Sequence, residues 1–370
     1  MIKWKDGRLM NGKKLQLEAI ELKDAETGLV YKSIGCIGSN TAHSYFTVMS
    51  WRADSRHIIA AIDVDAATMK GTMLDVDTTG DSCWGTLLHK EMLCFNGLAT
   101  ADDMYYYSIG ADIFELALKS GERRLVASHP QGCAFLEPLS ITNDRSCLGV
   151  YWENNGVFTI GTVDVADGKV RTVIEPGFAK PYSVANHAMI NPVYKEQLFF
   201  AHEGDTEQIY DRIWSVHTET GQAVNLYKQQ WLPDGSAHGE YIGHEMWSYD
   251  GKWLYFVRYA HSPLGSSGIY RVKHDGSKSE YINGDFRYWH ACPSPDGRYI
   301  VADTLLDEGK GSEIVLIDLK TGSSCKLCRV NRWNRHPGHP HPSFSPDSRK
   351  IIFTHADENN DLRIGIIALE

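Results

Sequence analysis

One turn-and-strand unit recurs seven times along the chain, and it restricts the possible folds more than any other feature. Its clearest copies are SWRADSRHIIAAI from Ser50, MWSYDGKWLYFV from Met246, CPSPDGRYIVAD from Cys292 and SFSPDSRKIIFTH from Ser343. Weaker copies are LATADDMYYYSI from Leu98, SITNDRSCLGVYW from Ser140 and INPVYKEQLFFAH from Ile190. Aligned on Asp54, Asp102, Asp144, Tyr194, Asp250, Asp296 and Asp347, they are spaced by 48, 42, 50, 56, 46 and 51 residues. Each copy sets a polar turn before an alternating run of β-branched and aromatic residues. A second pattern follows each turn, as in MLDVDTTGDS, GTVDVADGKVRTVI and IVLIDLKTGSSCKL: an apolar strand, a tight turn and a more polar strand. Together these make four antiparallel strands per unit. Such a unit cannot bury both faces alone, but seven arranged radially can. The sequence therefore predicts an all-β, seven-bladed β-propeller of four-stranded antiparallel blades, a single domain over residues 1–370. After SFSPDSRKIIFTH only the strand RIGIIALE remains, while TGLVYKSIG near the start lacks the earlier strands of a unit. That N-terminal strand is expected to complete the last blade. Two packed β-sandwiches would explain the strands but not seven pulses.

Composition narrows the partners. With 37 Lys+Arg against 47 Asp+Glu the formal charge is −10, so no basic face is expected for nucleic acid or an anionic membrane. No apolar run approaches the roughly 18 residues of a transmembrane helix. The start, MIKWKDGRLMNGKK, is basic but is followed by no apolar core of a signal peptide. The eight cysteines have no framework spacing and read as reduced thiols, which predicts a cytoplasmic protein. Cys325 and Cys328 form a C-x-x-C, but on a strand they should face opposite ways.

The sixteen histidines are unevenly placed. His290 precedes one turn copy in YWHACPSPDG, and His336, His339 and His341 precede the next in NRHPGHPHPSFSPD. In a propeller the innermost strand of each blade lines the central channel, so these four should converge there. Pro340 is expected to keep His339 and His341 extended and on one face, with the Pro337-Gly338 turn folding His336 back. Clustered imidazoles suit Zn, Mn, Fe, Ni or Cu; the competing reading is metal-free histidines that fill the channel or cap turns. His244 stands in YIGHEMWSYDG, Arg212 opens the strand DRIWSV, and His187 and His202 flank the fourth copy. For Arg212 an inter-blade ion pair competes with a functional role, and for His202 a satisfied turn.

Those residues resemble the oligogalacturonate lyase family of seven-bladed propellers. The resemblance lies in H-E-G followed by D-R-I-W (His202 to Trp214), H-E-M-W (His244 to Trp247), His290, and H-P-H-P-S-F-S-P-D (His339 to Asp347). It covers the repeat architecture throughout and is specific from about His187 onward. It implies that His290, His339 and His341 bind a divalent, manganese-like cation. The family's glutamine ligand falls on His336, which exchanges an amide for an imidazole and opens Zn or Ni beside Mn. It also implies that His244 abstracts a proton and Arg212 binds substrate; His187 and His202, from their equivalent blade positions, are expected as further substrate contacts. The segment HSYFTVMSW in the first half matches no motif of the family.

The implied activity is β-elimination across the 4-linkage of a uronic-acid oligosaccharide, giving a 4,5-unsaturated uronate. The C5 proton is too weakly acidic for a histidine unless a cation neutralises the adjacent carboxylate. Neutral His244 would accept that proton, and Arg212 would form a bidentate pair with a carboxylate. Glu245 is given no role beside His244, since neighbours on a strand face opposite ways. The charge of −10 favours a short acidic oligosaccharide over a long polyanion. A different uronide, such as ulvan or rhamnose-glucuronate fragments, and a non-catalytic interaction propeller stay open as alternatives.

Overall fold

Seven four-stranded antiparallel sheets account for nearly all regular structure in the computed structural model, which describes residues 14–307, 309 and 311–369. The basic stretch at the start of the chain lies outside the described residues. Each sheet begins with an inner strand, and the seven inner strands are Ala42–His43, Leu98–Ala99, Ser140–Ile141, Val184–Ile190, Ile242–Trp247, Tyr288–Pro293 and Ser343–Phe344. A cavity of 320 Å³ is lined by residues from all seven inner segments and their turns, among them Val48, Leu98, Ile141, Met189, Met246, Pro295 and Pro346. The sheets thus surround a common axis as the blades of a propeller. Among the described residues there is no helix, and so none long and apolar enough to cross a membrane.

Local chemistry explains the turn motif. In blades 2, 3, 5, 6 and 7 a Ser or Thr hydroxyl donates to the Asp two residues on: Thr100 to Asp102, Thr142 to Asp144, Ser248 to Asp250, Ser294 to Asp296 and Ser345 to Asp347, at 2.6–2.7 Å. The same carboxylate accepts the backbone N–H of Arg298 at 3.0 Å in blade 6 and of Arg349 at 3.0 Å in blade 7. Each turn is closed from within, and neighbouring turns are also linked: the Asp296 N–H donates to the Ser348 hydroxyl and the Asp347 N–H to the Ser55 hydroxyl, both at 3.1 Å. Blade 4 departs from the pattern. Its turn is organised by Asn191, whose side-chain oxygen accepts the Val193 and Tyr194 N–H groups at 3.0 Å, so Tyr194 is not the counterpart of the turn aspartates.

An early strand and the last strand described pair with each other. Val30–Gly35 pairs antiparallel with Leu362–Ala368 (Lys32↔Ile366, Ile34↔Ile364) and is the fourth strand of blade 7. One strand was not foreseen. Lys14–Lys23 pairs with Val30–Gly35 on one side and with the 12-residue outer strand Ser82–Leu93 of blade 1 on the other. Blades 7 and 1 become one nine-stranded sheet. Every cysteine is a free thiol; Cys325 is exposed and Cys328 buried, and the strand slips register between Lys326 and Cys328, so plain alternation does not relate the two.

Candidate metal centre and active site

The inner strands are bulged where the site lies. Pairing slips by one residue between Asn186 and Met189, Gly243 and Met246, and Tyr288 and Ala291, which re-aims His187, His244 and His290. His187 and His244 take left-handed backbone angles, φ 52° and 56°. His341, preceding the inner strand of blade 7, does the same at φ 47°, so the segment around Pro340 is not simply extended. Such a conformation costs a non-glycine residue about 1–3 kcal/mol and needs enforcing neighbours. For His341 these are at hand. His43 Nε2 lies 2.9 Å from the His341 carbonyl, and the His341 N–H donates to Asp303 at 3.2 Å.

Four imidazoles converge. Ring centroids of His290 lie 4.4 Å from His341 and 5.8 Å from His339, and one nitrogen from each of the three falls within 4.8 Å of the others. His336 sits beside this trio, its ring 4.5 Å from His339 and 5.0 Å from His341. The turn that folds it back requires Gly338, because a Cβ there would collide with the Trp333 indole. His290 Nε2, His336 Nδ1, His339 Nδ1 and His341 Nε2 are all buried without a hydrogen-bond partner. Burial pushes His336 and His339 down to about 4, and His290 and His341 well below the usual histidine range. All four are therefore neutral near pH 7, each with an unused buried nitrogen. Unpaired buried polar atoms are rare in folded proteins, and a divalent transition-metal ion is the partner this donor set fits.

A carboxylate stands behind the cluster. His290 Nδ1 is 3.0 and 2.9 Å from the two oxygens of Asp303, which also accepts the His290 N–H at 2.7 Å. That contact fixes the ring and leaves Nε2 facing the other histidines. Burial pushes the Asp303 carboxyl up to about 7, against the hydrogen bond from the His290 backbone. Sequence reading passed over this residue. Its one signal is positional: nine residues after the turn serine, blade 5 has Val257 and blade 7 has Thr354, whereas blade 6 has an acid.

His244 adjoins the cluster, with its ring 4.1 Å from that of His290 and its Nδ1 3.1 Å from the Tyr259 hydroxyl. Gly243 makes the second contact possible, since a Cβ would occupy the position of that hydroxyl. Burial first, then the neighbouring His290 and Arg212, hold His244 well below its ordinary value, so it too is a neutral base. Arg212 is buried between two carboxylates. It donates from Nη1 and Nη2 to Glu203 at 2.9 and 3.0 Å, and from Nε and Nη2 to Glu245 at 2.6 and 3.3 Å. Burial opposes ionisation of Glu203, but Arg212 outweighs it and holds that carboxyl at about 2. Four of the five guanidinium N–H groups are thereby spent. The expected bidentate grip on a substrate carboxylate is not open to Arg212 in this arrangement, and one N–H on Nη1 remains. Glu245, given no role from the sequence, is its closest partner.

His187 stacks on Tyr45 at 5.9 Å and lies 3.8 Å from Glu203. His202 is differently placed. Its Nδ1 meets Asp211 at 2.7 Å, its Nε2 the Tyr182 carbonyl at 2.8 Å, and its ring stacks on Phe178 at 3.7 Å. Both nitrogens are engaged, which leaves neither for a sugar. The unassigned segment HSYFTVMSW supplies the floor of the site. Tyr45 lies 4.7 Å from His341 and Phe46 5.1 Å from His290, while Thr47, Val48 and Met49 line the cavity beyond.

No protein-family model matches the chain. In sequence it is 24% identical over 209 residues to an oligogalacturonide lyase of Pectobacterium atrosepticum, and 25% identical over 211 residues to an oligogalacturonate lyase of Dickeya dadantii. Each alignment covers 52% of this chain, and the chain spans about half (50%) of the length of each of these curated relatives. In structure it is similar to an oligogalacturonate lyase in complex with manganese, with TM-score 0.82 and 20% identity over 97% of this chain and 98% of that one. It is likewise similar to an oligogalacturonate lyase from Vibrio parahaemolyticus, with TM-score 0.81 and 17% identity over the same shares. The chain has the propeller fold of the oligogalacturonate lyases along nearly its whole length and resembles them in sequence over about half of it.

Proposed function

We propose that this protein is a metal-dependent lyase that cleaves 4-linked uronic-acid oligosaccharides by β-elimination, giving a 4,5-unsaturated uronate. One observation carries the reading: His290, His339 and His341 bring one nitrogen each within 4.8 Å of the others, His336 adds a further buried nitrogen without a partner beside them, and the ring of a fifth neutral imidazole stands 4.1 Å from that of His290. His290, His339 and His341 would hold the cation, with His336 beside them, and the relative crystallised with manganese favours Mn over Zn or Ni. A divalent cation there supplies Lewis-acid neutralisation of a uronate carboxylate. His244 takes the C5 proton, the C4–O bond breaks as the C4–C5 double bond forms, and the departing oxygen takes a proton from water to leave as the hydroxyl of the second fragment. With the His244 Nδ1–H donated to the Tyr259 oxygen, the Nε2 lone pair is left to act as base. The Glu203–Arg212–Glu245 cluster keeps a cation fixed beside His244, and its remaining N–H points the acidic sugar toward the base. The names of the curated relatives support oligogalacturonides as the substrate class.

The test is formation of unsaturated uronate from galacturonate oligomers, followed by ultraviolet absorbance. Activity should vanish on chelation and return with Mn. His244→Ala should lower kcat by about 10²–10⁴-fold with metal content unchanged. Full activity in that variant would remove His244 as the base, and inactivity of the Mn-loaded protein on every uronide tried would remove the lyase reading.

A further inference from the structure

Two loops rise on the face that carries the histidines, and each presents an aromatic ring to solvent. Residues 204–212 connect Gln197–Glu203 to Ile213–His217, and residues 226–241 lead from Ala223–Asn225 into Ile242–Trp247, the strand of His244. Tyr210 on the first is 53% exposed and Trp231 on the second is 51% exposed, with ring centroids 5.7 Å apart at 48°.

The pair is held by the same bonds that hold the site. Buried Gln229 accepts the Arg212 N–H at 3.0 Å and donates to the Ile209 carbonyl at 2.9 Å and the Glu240 carbonyl at 2.7 Å, joining both loops within two residues of each ring. Trp231 also bridges to His238, whose Nε2 lies 2.8 Å from the Glu207 carbonyl of the other loop. The backbone that carries the two rings is therefore anchored, and the rings, in contact with each other, are left half in water. A solvent-facing aromatic pair on an anchored backbone is preorganised to receive a flat apolar face, and the C–H face of a pyranose ring is one.

We infer that Tyr210 and Trp231 form a platform on which a sugar of the oligosaccharide stacks, beyond the two rings that flank the bond being cut. The inference rests on the lyase reading for its ligand. It assigns chain-length preference to these rings and leaves the chemistry to the histidines.

Digalacturonate and tetragalacturonate distinguish the platform from the chemistry. In Trp231→Ala, KM for tetragalacturonate should rise about five- to tenfold with kcat little changed. KM for digalacturonate should stay at the wild-type value, and Trp231→Phe should recover most of the loss. Unchanged KM for both, or an equal rise for both, overturns the platform. If wild type yields no unsaturated product from either oligomer, it is the lyase reading that fails. Calorimetric titration of tetragalacturonate into wild type and Trp231→Ala then decides the platform, and equal affinities, or no binding to either, would overturn it.

Discussion

Asp303 shows how much one buried side chain arranges. Its two oxygens receive the His290 ring, the His290 backbone and the His341 backbone, and so tie together two blades that contribute to the histidine cluster. Replacing it with Asn keeps the shape but puts an amide NH2, which cannot accept, where one of the two accepting oxygens stands. Asp303→Asn is expected to weaken Mn or Zn binding by about 10–100-fold, measured by competition with a chelator of known affinity. The residue was invisible to a reading by motif because its partners are distant in sequence or one strand away. The histidines were legible for the opposite reason: each stands a few residues before a turn whose Ser–Asp bond is made within three residues. Arg212 lies between these cases. The sequence marked it as important, but its pairing with Glu203 and Glu245 depends on a bulge that no local spacing encodes.

At the scale of strands and blades, slipped pairing of the inner strands in blades 4, 5 and 6 marks the working side of the propeller, which blade 7 completes with His336, His339 and His341. The working sector is blades 4 to 7. At the seam of blades 2 and 3 there is instead Glu137, half-buried, with one oxygen 2.5 Å from the Ser108 hydroxyl and the other, itself shielded from water, without a partner. Burial raises its carboxyl to about 8, against the Ser108 hydrogen bond. The unfolded chain releases this proton near pH 4.5 and the folded protein keeps it to about pH 8. Between those values the unfolded state binds fewer protons, so stability falls as pH rises, by up to about 1.4 kcal/mol per pH unit. Glu137→Gln should remove that slope in urea titrations run from pH 5 to pH 8 and be the more stable protein at the upper end. The blades themselves were legible because turn and strand recur; the strand Lys14–Lys23 was not. It belongs to no repeat, and its residues are largely exposed, so neither period nor apolar run marks it.

The whole ring depends on its closure. Val30–Gly35 joins the first residues described to the last strand, and Lys14–Lys23 extends that joint into blade 1. Ile34 is fully buried in this joint, in the cluster with Leu17, Ile352 and Ile364. Ile34→Ala should cost about 2–5 kcal/mol, seen as a lower urea midpoint with an unchanged slope, because an opened ring loses support from both neighbours. Two transitions in place of one would show that the blades do not unfold together.

Tyr45 and Phe46 carry one more consequence. Lying across the axis between the histidines and the apolar cavity beyond, they stopper the bore partway along. A sugar chain cannot be threaded through; whatever reaches the imidazoles backs out by the entrance it used. On the lyase reading proposed above, such a dead-end vestibule would favour trimming a short fragment from its tip over gripping a long polymer in mid-strand.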